Sequence, residues 1–563
     1  MKKVLFYVNL IIYFIKGVEF MSNPAWYACY EEGVRKTFDI EEMSLYEMFE
    51  RSVKNYGDKP AIIYGGKTWT YKEMEQDVDR LAKALVRLGV QPKDRISINM
   101  PNSATWVISF FALMKVGAIV VQTNPLYMEN ELKYLMNDSG AIGMITVAPL
   151  YPKVQNIRGE TSLKWVLVEG LKAMGMAEET GTYDLHVAVS DDSAVELPKP
   201  VVDPKKDIAV LQYTGGTTGT SKGAMLSHYN LYSNAYQVWE WIKGRPGEER
   251  SLCAIPLFHI YALSVCMNTS IFGGCAIVPV PKFDADLILK LINDVKPTLY
   301  PGTPTMYVAL INHPKIKEYD VSSIRACVSG SAPLPVEVAL RFEELTGGKL
   351  VEGYGLSEAS PVTHINPLCA ARVGAIGTPV SNTEAKIVDI ETGEKELPVG
   401  EIGELAVKGP QVMLGYWQKE NETRAVLRDG WLYTGDLAKM DENGYFYIVD
   451  RKKDMIITGG YNVYPREIEE ALYGHPAIRE AICAGVPDSY WGEKVKAYVV
   501  LKENLQVTQD DLLAYLKKEL ASYKVPKEIE IRESLPKTAV GKVLRRFLVE
   551  EEKQRLQKEA KEA

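Results

Sequence analysis

Apolar residues recur at three- and four-residue steps after Thr70, as Met74, Val78, Leu81, Leu85 and Leu88. That period predicts a helix with one buried face. Thr70 and Glu73 have the spacing of a capping box, Trp69 and Met74 that of a hydrophobic staple, and Gly89 closes the helix. A strand over Arg95–Met100, an apolar helix over Thr105–Lys115 and a strand over Ala118–Gln122 follow, then a helix near Glu129–Asn137 and a strand near Gly143–Val147. Strands alternating with helices predict an α/β layer architecture. Asp184–Pro204 is polar and punctuated by proline, so it reads as a surface connection. Asp207–Gln212 and Ala224–Leu226 are short apolar strand candidates on either side of a polar stretch.

The pattern resumes after Pro465, which takes the first position of a helix through Ile468, Ala471 and Leu472. Strands are predicted at Ala481–Gly485 and Ala497–Leu501. Thr508 and Asp511 open a further helix whose buried stripe is Leu512, Leu513, Leu516 and Leu520. Between the two patterned regions, Asp450–Asp454 is a run of charges that suits a solvated connection or a boundary between domains. The charged tail after Val549 reads as solvated helix or disorder.

At the other end, Val4–Ile15 is strongly apolar after Lys2 and Lys3. As a helix it would span about 18 Å, short of the roughly 30 Å hydrocarbon core. Asn9 interrupts it, and Lys16–Met21 offers no small-x-small cleavage site. Residues 1–20 are therefore read as a non-functional extension, either a poor signal-like tail or translated sequence ahead of a start at Met21, with an interfacial anchor left open.

Composition narrows the classes. A chain of 563 residues should hold two or more domains. Apolar content of 46% and charged content of 25% suit a soluble globular protein. A net charge of −8 argues against nucleic acid as the main partner. The seven cysteines include no C-x-x-C pair or metal-binding spacing, and Cys253, Cys266, Cys275, Cys327 and Cys483 read as reduced core residues of a cytosolic protein.

The candidate chemistry begins at Tyr213–Gly223, Y-T-G-G-T-T-G-T-S-K-G. Glycines let backbone amides approach a ligand, and runs of such amides make anion sites. The hydroxyls add donors, and Lys222 adds a charge suited to phosphate. The standard G-x-x-x-x-G-K-[ST] loop is absent, because Lys222 follows Ser221 and precedes Gly223. A flexible linker or a hairpin tip is the plainer alternative. In Val351–Glu358, V-E-G-Y-G-L-S-E, Gly353 and Gly355 flank Tyr354, whose ring face is then free to stack on a flat ligand, and Glu358 offers the hard oxygen that Mg²⁺ takes. Val328–Pro335 is a strand running into a Gly/Ser turn.

Tyr213–Gly223 resembles the phosphate-loop signature of the adenylate-forming enzymes, a family of acyl-CoA synthetases, peptide-synthetase adenylation domains and luciferases. Further signatures follow in the family's order, and the likeness covers nearly all of the chain from Met21. It implies a large N-terminal domain of several sheets packed by helices, residues 21–450, and a small mobile α/β domain, residues 451–563.

The resemblance also implies a set of roles. Thr214, Gly215, Gly216, Thr217, Thr218, Gly219, Thr220 and Lys222 would hold the phosphates of ATP. Gly330, Ser331 and Ala332, with Tyr354, would hold adenine, and Gly353, Gly355, Leu356 and Ser357 would belong to the same ATP site. Glu358 and Thr214 would hold the Mg²⁺–phosphate unit. His259, in P-L-F-H-I-Y-A-L, would sit beside the substrate carboxyl or gate its entry, although a lone His among aromatics is commonly a packed core residue. Asp436 in Y-T-G-D would grip the ribose hydroxyls and Arg451 would touch the ribose. Lys453 matches the hinge position, and Gly459 and Gly460 would let the pantetheine arm of CoA pass. Lys542 in P-K-T-A-V-G-K would contact the reacting carboxylate and the α-phosphate.

The implied reaction joins a carboxylate to AMP from ATP and then passes the acyl group to CoA. V-Q-T-N-P-L-Y at Val121–Tyr127 and the His259 segment carry a closer likeness to medium- and long-chain fatty acid–CoA ligases. Apolar Ser264–Gly273 suits an acyl tunnel wall and equally suits plain core. Aryl acids of the coumarate type are the alternative substrates. A luciferase-like oxygenase, a non-catalytic binder and a carrier-loading domain are the rival functions. Expected partners are fatty acid, ATP and CoA, with no nucleic acid. The expected location is cytoplasmic, with peripheral contact to the inner face of a membrane and a homodimer left open.

Overall fold

The computed structural model describes residues 24–191, 193–214, 221–372, 374–458, 461–488, 491–503, 505–538 and 543–562. The N-terminal extension lies outside the described residues.

The alternating pattern becomes a layered α/β body. Among the described residues, its widest sheet has eight strands, in the order Gly415–Tyr416, Lys222–Ser227, Ile208–Thr214, Ile119–Gln122, Arg95–Asn99, Gly143–Val147, Trp165–Glu169 and Thr182–Asp184. The strands from Ile208–Thr214 to Thr182–Asp184 are parallel to their neighbours, and the other two join antiparallel. Parallel strands are covered on both faces, which explains why these segments read as nearly continuous apolar runs. Helices Tyr71–Arg87 and Ala104–Lys115 contribute to the main core, while Leu135 and Met136 of Glu129–Ser139 belong to a second apolar cluster.

The predicted capping box is present. The Thr70 side chain accepts from the Glu73 amide, Glu73 accepts from the Thr70 amide at 2.8 Å, and Gly89 takes φ +85°. Of the predicted leucine stripe, Leu512 and Leu516 are fully buried and Leu513 and Leu520 only partly.

Two further sheet segments flank the site. Arg250–Cys253, Ala276–Pro279, Pro60–Tyr64 and Lys67–Thr70 form one, and Ala326–Ser329, Lys349–Gly355, Val362–Ile365 and Thr378–Pro379 the other. Single bridges through Leu299 join them. Glu249, just ahead of this junction, is 2% exposed. Its carboxylate holds Arg245 at 3.0 Å and Arg325 at 2.6 Å and accepts from the Thr298 hydroxyl. One buried anion thus ties a loop, a strand start and the Leu299 connection together.

A third sheet carries Trp431–Met440 and Phe446–Arg451. Beyond it, Ile478–Asp488, Gly492–Leu501 and Glu528–Ile531 build a separate sheet with its own apolar cores. The tail is not simply solvated. It forms the helix Arg545–Glu562, and Glu552, 4% exposed, meets the buried Lys496 ammonium at 3.0 Å. Glu528 and Glu530 complete that cluster at 2.7 and 2.9 Å. Burial opposes the Lys496 charge, and the three carboxylates reverse the effect and raise its pKa. Among the described residues no helix is long and apolar enough to cross a membrane.

Burial works against the Glu249 charge, but Arg245, Arg325 and Thr298 outweigh it and bring the carboxyl down from 4.5 to about 2. A carboxyl depressed on folding adds stability above its unfolded pKa and loses it as pH falls through the folded one. Glu249→Gln is expected to destabilise the large body by about 3 kcal/mol at pH 7, the usual cost of stranding buried partners. Urea midpoints measure this, and the gap to wild type should narrow from pH 4.5 toward pH 2. A gap independent of pH would remove the charge from the explanation.

Candidate active site

The glycine-rich stretch joins two antiparallel strands. The last rung before the turn pairs Thr214 with Lys222, and the intervening Gly215, Gly216, Thr217, Thr218, Gly219 and Thr220 lie outside the described residues. Side chains fix both shoulders. The Ser221 hydroxyl donates to the Thr214 carbonyl at 2.6 Å, and the Tyr134 hydroxyl donates to the Ser221 carbonyl at 2.9 Å. The Tyr213 hydroxyl donates to Asp138 Oδ2 at 2.7 Å, and the Trp417 indole N–H donates to the Asp138 carbonyl at 3.2 Å. The hairpin base is therefore anchored to the helix Glu129–Ser139 rather than free like a linker.

Glu358 reaches this region from another sheet. It sits in the short turn Ser357–Ala359 after the strand Lys349–Gly355. Its Oε1 accepts from the Tyr416 hydroxyl at 2.7 Å, and its own carbonyl accepts from the Met413 amide at 2.8 Å. The Lys222 ammonium lies 5.3 Å from the centroid of the same Tyr416 ring. Lys222 and Glu358, far apart in the chain, thus meet across one tyrosine.

A second cluster forms where the predicted nucleoside residues lie. Ala326–Ser329 runs parallel to Lys349–Gly355, with Val328 opposite Val351 and Ser329 opposite Glu352. Gly330, Ser331 and Ala332 therefore emerge beside the end of the strand that carries Gly353, Tyr354 and Gly355. Ser331 takes φ +70°. A Cβ on Gly355 would lie 2.2 Å from the Pro361 carbonyl oxygen, so this glycine is required for close backbone packing. The Tyr354 hydroxyl donates to Asp436 Oδ2 at 2.5 Å, and Arg451 Nε lies 3.2 Å from Asp436 Oδ1. Asp436 and Arg451 are partners in one antiparallel rung. Each carboxylate oxygen can accept a second bond, so Asp436 keeps acceptor capacity beyond these two contacts. Burial and the Asp436 charge push the Tyr354 phenol well up, which keeps it a neutral donor.

His259 lies in the turn between the strand Arg250–Cys253 and the helical residues that follow, and is half-buried. Its Nδ1 accepts from the Tyr261 amide at 3.2 Å. Asn102 pins the segment by donating to the Cys253 and Ile255 carbonyls at 3.1 and 2.8 Å and accepting from the Leu257 amide at 2.6 Å. Gln212, on the strand that ends at Thr214, donates to the Phe258 carbonyl at 3.3 Å. His259 is therefore tied to the strand that leads into the glycine-rich loop. The next residues form a π-helix, Ala262–Asn268, wholly buried, with Met267 at 0% exposure. This part of the proposed tunnel wall is packed core.

The predicted hinge is only partly solvated. Lys453 is exposed, but Asp450 is 5% exposed and accepts from the Arg466 amide at 2.9 Å. The Arg545 guanidinium holds Asp454 at 2.7 Å and Glu469 at 2.8 Å, with Asp450 at 3.7 Å. Gly459, Gly460 and Lys542 lie outside the described residues. Of their flanks, Thr458 pairs with Tyr461, and Lys537 makes a single antiparallel bridge with Val543.

Tyr416, Asp138 and Glu352 escaped the sequence reading. Glu352 is a buried carboxyl that burial raises to about 7, opposed by the Leu334 amide and by Arg466. It shares an alternation face with Tyr354, a signal that could have drawn attention to it. No spacing links Tyr416 to Glu358.

Family models describing the AMP-binding enzyme and the AMP-binding enzyme C-terminal domain match residues 49–417 and 467–542. The chain is similar to a long-chain-fatty-acid–CoA ligase of Bacillus subtilis (strain 168), 47% identical over 552 residues, 94% of this chain and 98% of the relative. A ligase of the same description from Escherichia coli O6:H1 is 39% identical over 536 residues, 90% and 94% of the two chains. Among solved structures, ATP-bound MatB from Rhodopseudomonas palustris superposes with a TM-score of 0.81 at 32% identity, covering 90% of this chain and 99% of that one. The match therefore runs through both bodies of the fold, and the chain belongs to the AMP-binding enzyme family.

Proposed function

We propose that the protein is an ATP-dependent long-chain fatty acid–CoA ligase. The meeting of Lys222 and Glu358 across Tyr416, on a sheet that ends in a glycine-rich hairpin, is the observation that carries the reading. The near-full-length relatives with that activity in their descriptions support the choice of acid and of CoA. In this reading the domain boundary falls at residues 450–451, and a cytoplasmic location is consistent with the use of ATP and CoA. Contact with a membrane that supplies the acid is compatible with it.

A carboxylate oxygen is a poor leaving group. In the first step it attacks the α-phosphorus of ATP, the bond to the β-phosphate oxygen breaks, and pyrophosphate leaves. In the second, CoA thiolate attacks the acyl carbonyl, the acyl–phosphate bond breaks, and AMP leaves. Positioning and charge neutralisation are what the first step requires. The hairpin amides, the Thr214 hydroxyl and Lys222 hold the β- and γ-phosphates. Asp436, steadied by Tyr354 and Arg451, accepts from the ribose hydroxyls. His259 stands by the acyl carboxyl, and Lys542 bridges that carboxyl and the α-phosphate, whose charges repel.

The donor set also fits Mg²⁺. Mg²⁺ is commonly held by one or two carboxylates plus substrate phosphates, and among the described residues Glu358 Oε2 has no hydrogen-bond partner. When bound, the ion neutralises charge on the departing pyrophosphate. Lys542 belongs to the small domain, so rotation about Lys453 can withdraw it after the first step and bring Gly459 and Gly460 to the site.

Pyrophosphate release from ATP and Mg²⁺ across acetate, octanoate, palmitate and coumarate, with and without CoA, tests the reading. A CoA-dependent maximum at octanoate or longer is expected. A maximum at coumarate moves the substrate to aryl acids, and no turnover with any acid overturns the ligase. Lys542→Ala is expected to abolish adenylate formation and largely spare thioester formation from preformed acyl-AMP; equal loss of both would sink the two-state assignment. Asp436→Ala is expected to raise the KM for ATP about 10- to 100-fold, the range for hydrogen bonds to a charged group, with the KM for CoA unchanged. An unchanged KM for ATP removes Asp436 from the ribose.

A further inference from the structure

Tyr416 lies in none of the signatures read from the sequence, yet it touches both charged groups at the phosphate end. Main-chain bonds fix its place. Gly415 pairs with Met225 and Tyr416 with Ala224, and the Leu414 and Trp417 amides donate to the Met225 and Gly223 carbonyls at 2.9 and 2.8 Å. The same short stretch bonds to the Glu358 segment through the Met413 amide. The Tyr416 amide is itself held by Thr423 Oγ1 at 2.9 Å. Residues 413–417 are thus a brace, bonded on one side to the strand that begins at Lys222 and on the other to Glu358. Tyr416 is 9% exposed, and burial followed by the Glu358 charge pushes its phenol up, so it stays a neutral donor.

A carboxylate that turns freely can meet a cation through either oxygen or through both. Glu358 does not turn freely, because Oε1 is held at 2.7 Å by the Tyr416 hydroxyl while Oε2 has no hydrogen-bond partner among the described residues. We propose that Tyr416 is a positioning residue for adenylation. By holding Oε1 it fixes the orientation of the carboxylate and leaves Oε2 as the less encumbered oxygen toward a phosphate-bound divalent cation, and its ring keeps the Lys222 ammonium beside the same phosphates. Mg²⁺ demands near-octahedral order and tolerates few protein ligands, so a carboxylate fixed in orientation suits it better than a mobile one. The inference rests on Glu358 being the carboxylate of the cation site.

Tyr416→Phe keeps the ring and the strand pairing and removes the hydroxyl. In the full-length enzyme at saturating ATP, the Mg²⁺ concentration for half-maximal pyrophosphate release is expected to rise about tenfold, the scale of one charge-assisted hydrogen bond. The KM values for palmitate and CoA should change by less than about twofold, since neither contact is altered. A binding readout stands beside the kinetics. The rise in Tm that Mg²⁺ adds over ATP alone, taken in each variant relative to its own unliganded Tm, should fall by more than half in Tyr416→Phe. In a Glu358→Gln background the further change Tyr416→Phe should leave the Mg²⁺-dependent Tm shift where it was, because the bond is already weakened at its other end. Equal Mg²⁺ requirements and equal Tm shifts in wild type and Tyr416→Phe overturn the proposal, as does full additivity in the double variant. A wild-type enzyme that releases no pyrophosphate with any acid overturns the ligase reading, and the Tm shifts still decide the role of Tyr416.

Discussion

The rung between Thr214 and Lys222 is the constraint on which the candidate site depends. Backbone amides are presented reproducibly to an anion only where both ends of the segment that carries them are held. Here the ends are adjacent strands within an eight-stranded sheet, and Ser221, Tyr134, Tyr213 and Asp138 lock the shoulders by hydrogen bonds. Adding the strand Gly415–Tyr416 beside Lys222–Ser227 then carries Tyr416 to Glu358, so the sheet that holds the base of the glycine-rich hairpin also reaches Glu358.

Buried charge does a related task elsewhere in the molecule. Glu249 joins three segments of the large body, and Lys496 gathers Glu528, Glu530 and Glu552 to dock the last helix. Arg545 draws together Asp450, Asp454 and Glu469 around the predicted hinge. Such clusters stabilise little relative to well-packed apolar groups, but a charge left without its partner is costly. They therefore favour one arrangement of the pieces over its neighbours. At the hinge this matters most, because Asp450 precedes Lys453 whereas Asp454, Glu469 and Arg545 follow it.

Local patterns were legible where the physics is local. The Thr70 cap, the helix at Pro465, the strand at Gly143–Val147 and the glycine closure at Gly89 all depend on residues within a turn or two of one another. The tail after Val549 was harder to read, because a highly charged helix looks solvated until Lys496 is seen buried against Glu552. The glycines around Tyr354 had a reason the sequence could not show, since the Pro361 carbonyl that crowds Gly355 is brought back by the chain's return. The tunnel-wall reading of Ser264–Gly273 met the same difficulty. An apolar stretch has one composition whether it lines a channel or fills a core, and the π-helix Ala262–Asn268 fills core.

By itself the sequence determined the α/β class and the order of the motifs, because spacing and side-chain chemistry are properties of the chain. Only the tertiary structure decided which of these meet. Asp436 takes Tyr354 and Arg451 as partners, Glu358 takes Tyr416, and His259 is tied through Gln212 and Asn102 to the strand that ends at Thr214. Those pairings follow from sheet order and strand register. Both are set by long-range packing between segments whose separation along the chain carries no record of their distance in space.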